Sequence, residues 1–107
     1  MLFTAQIPID AAGNVVEGGI TAQTRQTLDN LIHTLECADG DASSLTQVLI
    51  YVIEREHLAT VNGMYAEYVR EPYSNRAAII VSGFAREEML VEIVAYAALE
   101  GDTGNSV

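Results

Sequence analysis

Leu45-Thr46-Gln47-Val48-Leu49-Ile50-Tyr51-Val52-Ile53 decides the fold reading, because from Val48 onward it is an unbroken run of β-branched, aliphatic and aromatic residues. Such a run reads as a largely buried strand. On its amino-terminal side, Leu28, Leu31, Ile32 and Leu35 fall at i, i+3, i+4 and i+7, one apolar stripe on a helix whose other faces are polar. Thr21 is the expected N-cap of that helix, which should stop before Asp39-Gly40-Asp41. On its carboxyl-terminal side, Leu58, Val61, Tyr65 and Tyr68 recur at helical spacing over 57–68, and Pro72 marks the end. Further out, Leu2-Phe3-Thr4-Ala5-Gln6-Ile7-Pro8 reads as a short strand. Ala12-Gly13-Asn14 supplies a turn before a second strand at Val15-Val16, and Gly18-Gly19 breaks this hairpin-like unit. Two strands, over 77–82 and 89–98, close the domain through Gly83 and Arg86-Glu87-Glu88. The order β-β-α-β-α-β-β predicts an α+β two-layer sandwich over residues 1–100, with a small polar tail at 101–107 expected to be disordered. Two helices cover only one face of such a sheet. The other face is therefore expected to be buried by further subunits in a closed homo-oligomer.

Charge excludes several classes of function. The 107 residues carry 15 Asp and Glu against 5 basic residues, every one of them arginine, for a formal net charge of -10. The isoelectric point is near 4.3. Phosphate recognition draws on clustered Lys and Arg, so neither nucleic acid nor an anionic membrane surface is an expected partner. No apolar run approaches the ~20 residues that span a bilayer, since residues 90–99 are interrupted by Glu92. Met1-Leu2-Phe3-Thr4-Ala5 lacks the basic region of a signal peptide and Cys37 is the single cysteine, so the chain reads as cytoplasmic. No cofactor or metal is expected: His33 and His57 read as solvated, Cys37 as a packing residue, and Gly18-Gly19 lacks the lysine and spacing of a phosphate-binding loop.

Two charged residues stand beside or within apolar strands. Arg76 heads Arg76-Ala77-Ala78-Ile79-Ile80-Val81, read as an incipient buried strand. A guanidinium there needs an anion, and its planar fork of donors fits either a structural carboxylate partner or the carboxylate of a ligand. Glu92 sits inside Leu90-Val91-Glu92-Ile93-Val94. It is either the outward member of a period-two strand or an acid-base group.

The stretches Gln23-Thr24-Arg25-Gln26-Thr27-Leu28-Asp29-Asn30-Leu31, Val61-Asn62-Gly63-Met64-Tyr65-Ala66-Glu67-Tyr68, Arg76-Ala77-Ala78 and Leu90-Val91-Glu92-Ile93, in this order over about residues 2–97, resemble the signature segments of the RidA/YjgF family of reactive-intermediate deaminases. The resemblance implies a chorismate-mutase-like fold assembled as a homotrimer with a ligand cleft at each subunit interface. It implies hydrolysis of small carboxylate-bearing enamines and imines, such as 2-aminoacrylate and 2-iminopropanoate, to the 2-keto acid and ammonia. Arg76 matches the arginine that binds the substrate carboxylate, and Glu92 the glutamate associated with the attacking water. Ala5 and Gln6 match a segment whose backbone amides help bind that carboxylate, with Thr4-Ala5-Gln6 in place of the usual Ser-Gly-Gln. Asn62 and Tyr65 match a pair that packs as often as it lines the ligand cleft, and packing is the expectation. Three departures accompany the match. The chain starts where the family's second strand would start, so the cleft tyrosine of the preceding motif has no counterpart. Ser74-Asn75 stands where a proline usually precedes the arginine, and the connection from Arg76 to Glu92 is one residue longer. That residue is expected in the turn over 84–88, since placed within a strand it would flip Glu92 to the other face.

Overall fold

β2 (Leu45–Val52) runs through the middle of the molecule. In the computed structural model, which describes residues 1–69 and 73–99, Val48, Ile50 and Val52 are fully buried on one face of this strand. Leu49 and Tyr51 are half-buried on the other. α1 (Gly19–Cys37) precedes β2 and α2 (Leu58–Tyr68) follows it. Leu28, Leu31 and Leu35 of α1, with Val61, Met64 and Tyr65 of α2, pack onto the buried face and form one core. The remaining strands are β1 (Leu2–Gln6), β3 (Asn75–Ile80) and β4 (Val91–Ala97). The sheet order is β1-β4-β2-β3. β3 lies parallel to β2, which requires a crossover, and α2 is that crossover. β4 is antiparallel to both β1 and β2.

The architecture is the expected α+β two-layer sandwich, with three corrections. Val15-Val16 forms no strand: the segment contributes an isolated antiparallel bridge between Ile9 and Val15. Two residues between a turn and Gly18-Gly19 are too few for a ladder. The loop is shaped instead by the Asp10 carboxylate, which accepts from the Ala12 and Asn14 amides, and by Gly13 at φ 85°. The first helix starts at Gly19 and not at Thr21. Gly18, at φ 115°, turns the chain into it without a side-chain cap. A Cβ on Gly18 would lie 2.8 Å from that of Ala22, so the turn needs glycine on steric as well as conformational grounds. Finally, the strand headed by Arg76 is not buried. β3 is a sheet edge and all six of its residues are exposed, because it pairs only with β2. The expected tail at 101–107, and Pro72 as the stop of α2, lie outside the described residues.

β4 alternates strictly: Val91, Ile93, Ala95 and Ala97 are buried, while Glu92, Val94 and Tyr96 face outward and are half-buried. It pairs with β2 in unbroken register from Val91↔Val52 to Tyr96↔Gln47. The long connection before it is pinned by Gln23 on α1. The side-chain carbonyl of Gln23 accepts from the Leu90 amide at 2.7 Å, and its amide donates to the Glu88 carbonyl at 2.8 Å. Gln23 is 4% exposed. Asn30 does the same for the exit of β1, donating to the carbonyls of Ile7 and Ile9. Polar residues of α1 thus anchor the two segments next to the sheet's outer strand pair, while its leucines fill the core.

No helix among the described residues covers the second sheet face. Phe3, Leu49, Tyr51, Ile79, Val94 and Tyr96 share it by register. Phe3 is 58% exposed and rests against Tyr96 with ring centroids 4.9 Å apart. Replacing Gln23 by leucine removes the partner of the part-buried Leu90 amide and Glu88 carbonyl and is expected to cost about 1–3 kcal/mol, read as a lowered urea midpoint with unchanged slope. Ile50→Ala, which opens a cavity at the centre of the core, is expected to cost about 2–5 kcal/mol in the same measurement.

Candidate functional site

Arg76 projects from the edge strand β3 on the side that faces the helices, in register with the buried Val48. Its guanidinium carbon lies 5.0 Å from the centre of the Tyr65 ring. That stacking is worth about 0.5–1 kcal/mol at an exposed site and, more to the purpose, fixes where the fork of donors points. Tyr65 is itself held: 4% exposed in the core, it shares a 3.0 Å hydrogen bond between its hydroxyl and that of Ser74. Arg76, Tyr65 and Ser74 line a cavity of about 340 Å³ together with Ala66, Val69 and Tyr73. Among the described residues no carboxylate lies within ion-pair distance of Arg76. An arginine that is carried on a fixed ring, open to solvent and without an anionic partner among the described residues can take a carboxylate from outside.

Glu92 is elsewhere. It stands opposite Tyr51 on the outward face of the sheet and borders a second cavity, about 290 Å³, with Tyr51, Val81, Gly83, Phe84 and Val94. Ala5 is on that face too, opposite Val94. Gln6 is turned inward, where its side-chain amide donates to the hydroxyls of Thr4 and Thr34 at 2.7 and 2.9 Å. That amide is therefore committed within the fold, and ligand binding at this position falls to the backbone of β1. Within one chain, then, Ala5 and Glu92 share a face and Arg76 does not join them. β1 and β3 are opposite edges of the sheet, three strand spacings or roughly 14 Å apart. Asn62 is half-buried on α2 and is not part of the Arg76 cavity. Tyr65, expected to pack, both packs and lines it.

A larger cavity, about 510 Å³, opens along α1 and α2 and includes Arg25, Asp29, His33, Glu36, Glu67 and Tyr68. Its arginine is already engaged: Arg25 donates to the Tyr68 hydroxyl at 3.0 Å and to Glu67 at 3.3 Å. Tyr68 in turn donates to Asp29 at 2.6 Å. Four carboxylates, counting Asp41, line this space, so an anionic ligand is repelled there. The smaller Arg76 cavity is the better anion site. Sequence reasoning found Arg76 and Tyr65 but missed Tyr73 and Ser74, three and two positions before the arginine; Ser74 enters the sequence reading only with Asn75, in place of a proline, and Tyr73 not at all.

The fold and the site define a class: a two-layer α+β sandwich with an open arginine over an aromatic ring at one sheet edge and an uncovered apolar sheet face. The family model described as Endoribonuclease L-PSP matches residues 1–99, and the chain belongs to that family, RidA/YjgF. A RutC family protein of Pyrococcus horikoshii is 35% identical over 98 residues, which cover 90% of this chain and 78% of the relative. The bovine protein named 2-iminobutanoate/2-iminopropanoate deaminase is 28% identical over 85 residues, 78% of this chain and 62% of that protein. Among solved structures, a Yersinia pestis protein of the conserved Rid family superposes with a TM-score of 0.84 at 31% identity, over 90% of this chain and 77% of that one.

The Tyr68 hydroxyl titrates above the usual tyrosine range, first because burial disfavours the phenolate and second because it donates to Asp29. A raised native value means that the folded state holds this proton longer than the unfolded chain. The stability Tyr68 provides is therefore complete below the ordinary tyrosine value and is lost as pH rises through the native one. Urea titrations at about pH 7 and about pH 11 are expected to show the advantage of wild type over Tyr68→Phe shrinking at the higher pH.

Proposed function

We propose that the chain is the subunit of a homotrimeric deaminase that hydrolyses small carboxylate-bearing imines and enamines, of the 2-iminopropanoate and 2-aminoacrylate type, to the 2-keto acid and ammonia. The observation that carries this reading is the open Arg76 guanidinium, held on the Tyr65 ring with no carboxylate partner among the described residues. The substrate carboxylate binds Arg76, which fixes the imine carbon in place and converts an encounter with water into a positioned attack. Glu92 accepts a proton from the attacking water and returns one to the departing nitrogen. Water adds across C=N, the resulting carbinolamine expels ammonia, and the 2-keto acid remains. An enamine first takes a proton on carbon to become the imine.

Because Arg76 and Glu92 lie on opposite faces of one sheet, a site using both takes the arginine from one subunit and the glutamate from its neighbour. The apolar face of Phe3, Leu49, Ile79, Val94 and Tyr96 supports such an assembly. The family model's description as an endoribonuclease is not adopted for this chain, whose net charge of -10 opposes RNA binding. No helix among the described residues is long and apolar enough to cross a membrane. Binding of small carboxylates without turnover is the competing reading, favoured by Thr4-Ala5-Gln6 at the strand where the family carries Ser-Gly-Gln.

Purified protein is expected to accelerate the loss of 2-iminopropanoate generated in situ. Arg76→Ala should abolish the acceleration, and Glu92→Gln should reduce it by about 10²–10⁴ fold. Light scattering should give three times the chain mass for all three proteins. A wild-type rate equal to the uncatalysed one, with pyruvate still bound through Arg76, supports the binding protein instead. A monomer sinks the shared site.

A further inference from the structure

The Arg76 cavity is larger than a three-carbon acid requires. At about 340 Å³ it falls at the lower end of the range that houses drug-sized ligands. The guanidinium occupies one side of it. Ala66 and Val69 on and just after α2, with the ring of Tyr73, supply the remainder of the lining, and they present carbon. The uncharged polar side-chain groups among the described lining residues are the hydroxyls of Tyr65 and Ser74, which are joined to each other at 3.0 Å, and that of the exposed Tyr73. A ligand anchored by its carboxylate on Arg76 thus extends its substituent mainly along a wall of carbon, where the described lining residues offer a second charged group no further cation.

From this wall we infer that the site selects 2-imino and 2-oxo acids with a bulky apolar side chain, of leucine or phenylalanine size, over the three-carbon members of the class. The inference rests on the carboxylate-binding reading of Arg76 given above and adds to it the identity of the substituent. Its physical basis is asymmetric. Each methylene withdrawn from water against Ala66, Val69 and Tyr73 tightens binding by up to a few fold, whereas a buried polar substituent left unpaired is penalised. Tyr73 is 69% exposed, so a bulky ligand laid against it also removes apolar surface of the protein from water.

The 2-oxo acids are stable in water and carry the same carboxylate beside a trigonal carbon, so they serve as probes. Calorimetry on the full chain compares pyruvate, 4-methyl-2-oxopentanoate, phenylpyruvate and 2-oxoglutarate. The expected result is that the two bulky apolar acids bind about tenfold or more tightly than pyruvate, with 2-oxoglutarate no better than pyruvate. Ala66→Phe, at an exposed helix position, fills the wall and should bring the ratio of 4-methyl-2-oxopentanoate to pyruvate affinity below about threefold. Arg76→Ala should abolish binding of all four. Equal or tighter binding of pyruvate overturns the selectivity while leaving the carboxylate clamp standing. Preference for bulky acids that survives Arg76→Ala, or a ratio unchanged in Ala66→Phe, overturns it by placing the apolar contact elsewhere. If none of the four binds wild type, the selectivity and the carboxylate reading fall together.

Discussion

The pairing of β4 between β1 and β2 is the constraint on which the rest of the molecule depends. Four of its seven side chains are buried and alternate with three that are not, so a shift of one residue would put Glu92 into the core and Ile93 into solvent. Unbroken register against β2 from Val91 to Tyr96 excludes that shift. The ladder alone does not settle where β4 begins, because a ten-residue connection, 81–90, precedes it. Gln23 settles it by holding the Glu88 carbonyl and the Leu90 amide with one side chain. A buried amide that satisfies both a donor and an acceptor of the chain fixes position more sharply than apolar packing, which tolerates sliding.

From that register follows a division of the chemistry. The outward residues of β4 and β1 share one face, and the edge strand β3 carries its arginine toward the helices. Cation and carboxylate are therefore supplied in a fixed geometry but on separate surfaces, and each is preorganised by different neighbours: Arg76 by a core tyrosine, Glu92 by the alternation of its strand. Neither depends on the other to be held in place. This independence suits groups that can act together only when two surfaces meet.

Where hydrophobic periodicity was strong, the elements could be read from the sequence: β2 from its apolar run, both helices from their stripes, β4 from its alternation around Glu92. What escaped had other causes. Val15-Val16 has strand-forming residues but too little length between two breaks. The helix start was assigned to Thr21 by its capping chemistry, yet a backbone turn at Gly18 needs no side-chain oxygen. β3 has the composition of a buried strand, Ala77-Ala78-Ile79-Ile80, and is exposed because burial depends on strand order, which composition does not carry. For the site, the charged residues stood out against apolar surroundings. Tyr73 and Ser74 did not, since an aromatic and a hydroxyl in a loop are unremarkable until the arginine is seen stacked beside them.

Arg76 also has a bearing on solubility. Asn75–Ile80 is an exposed sheet edge whose outer row of backbone donors and acceptors is not paired by any described strand. Such edges invite strand-to-strand stacking between molecules, and natural proteins commonly break them with a charge. Arg76 is the sole charged residue in this strand. The side chain suited to grip a carboxylate thus doubles as a guard against self-adhesion of the strand that carries it.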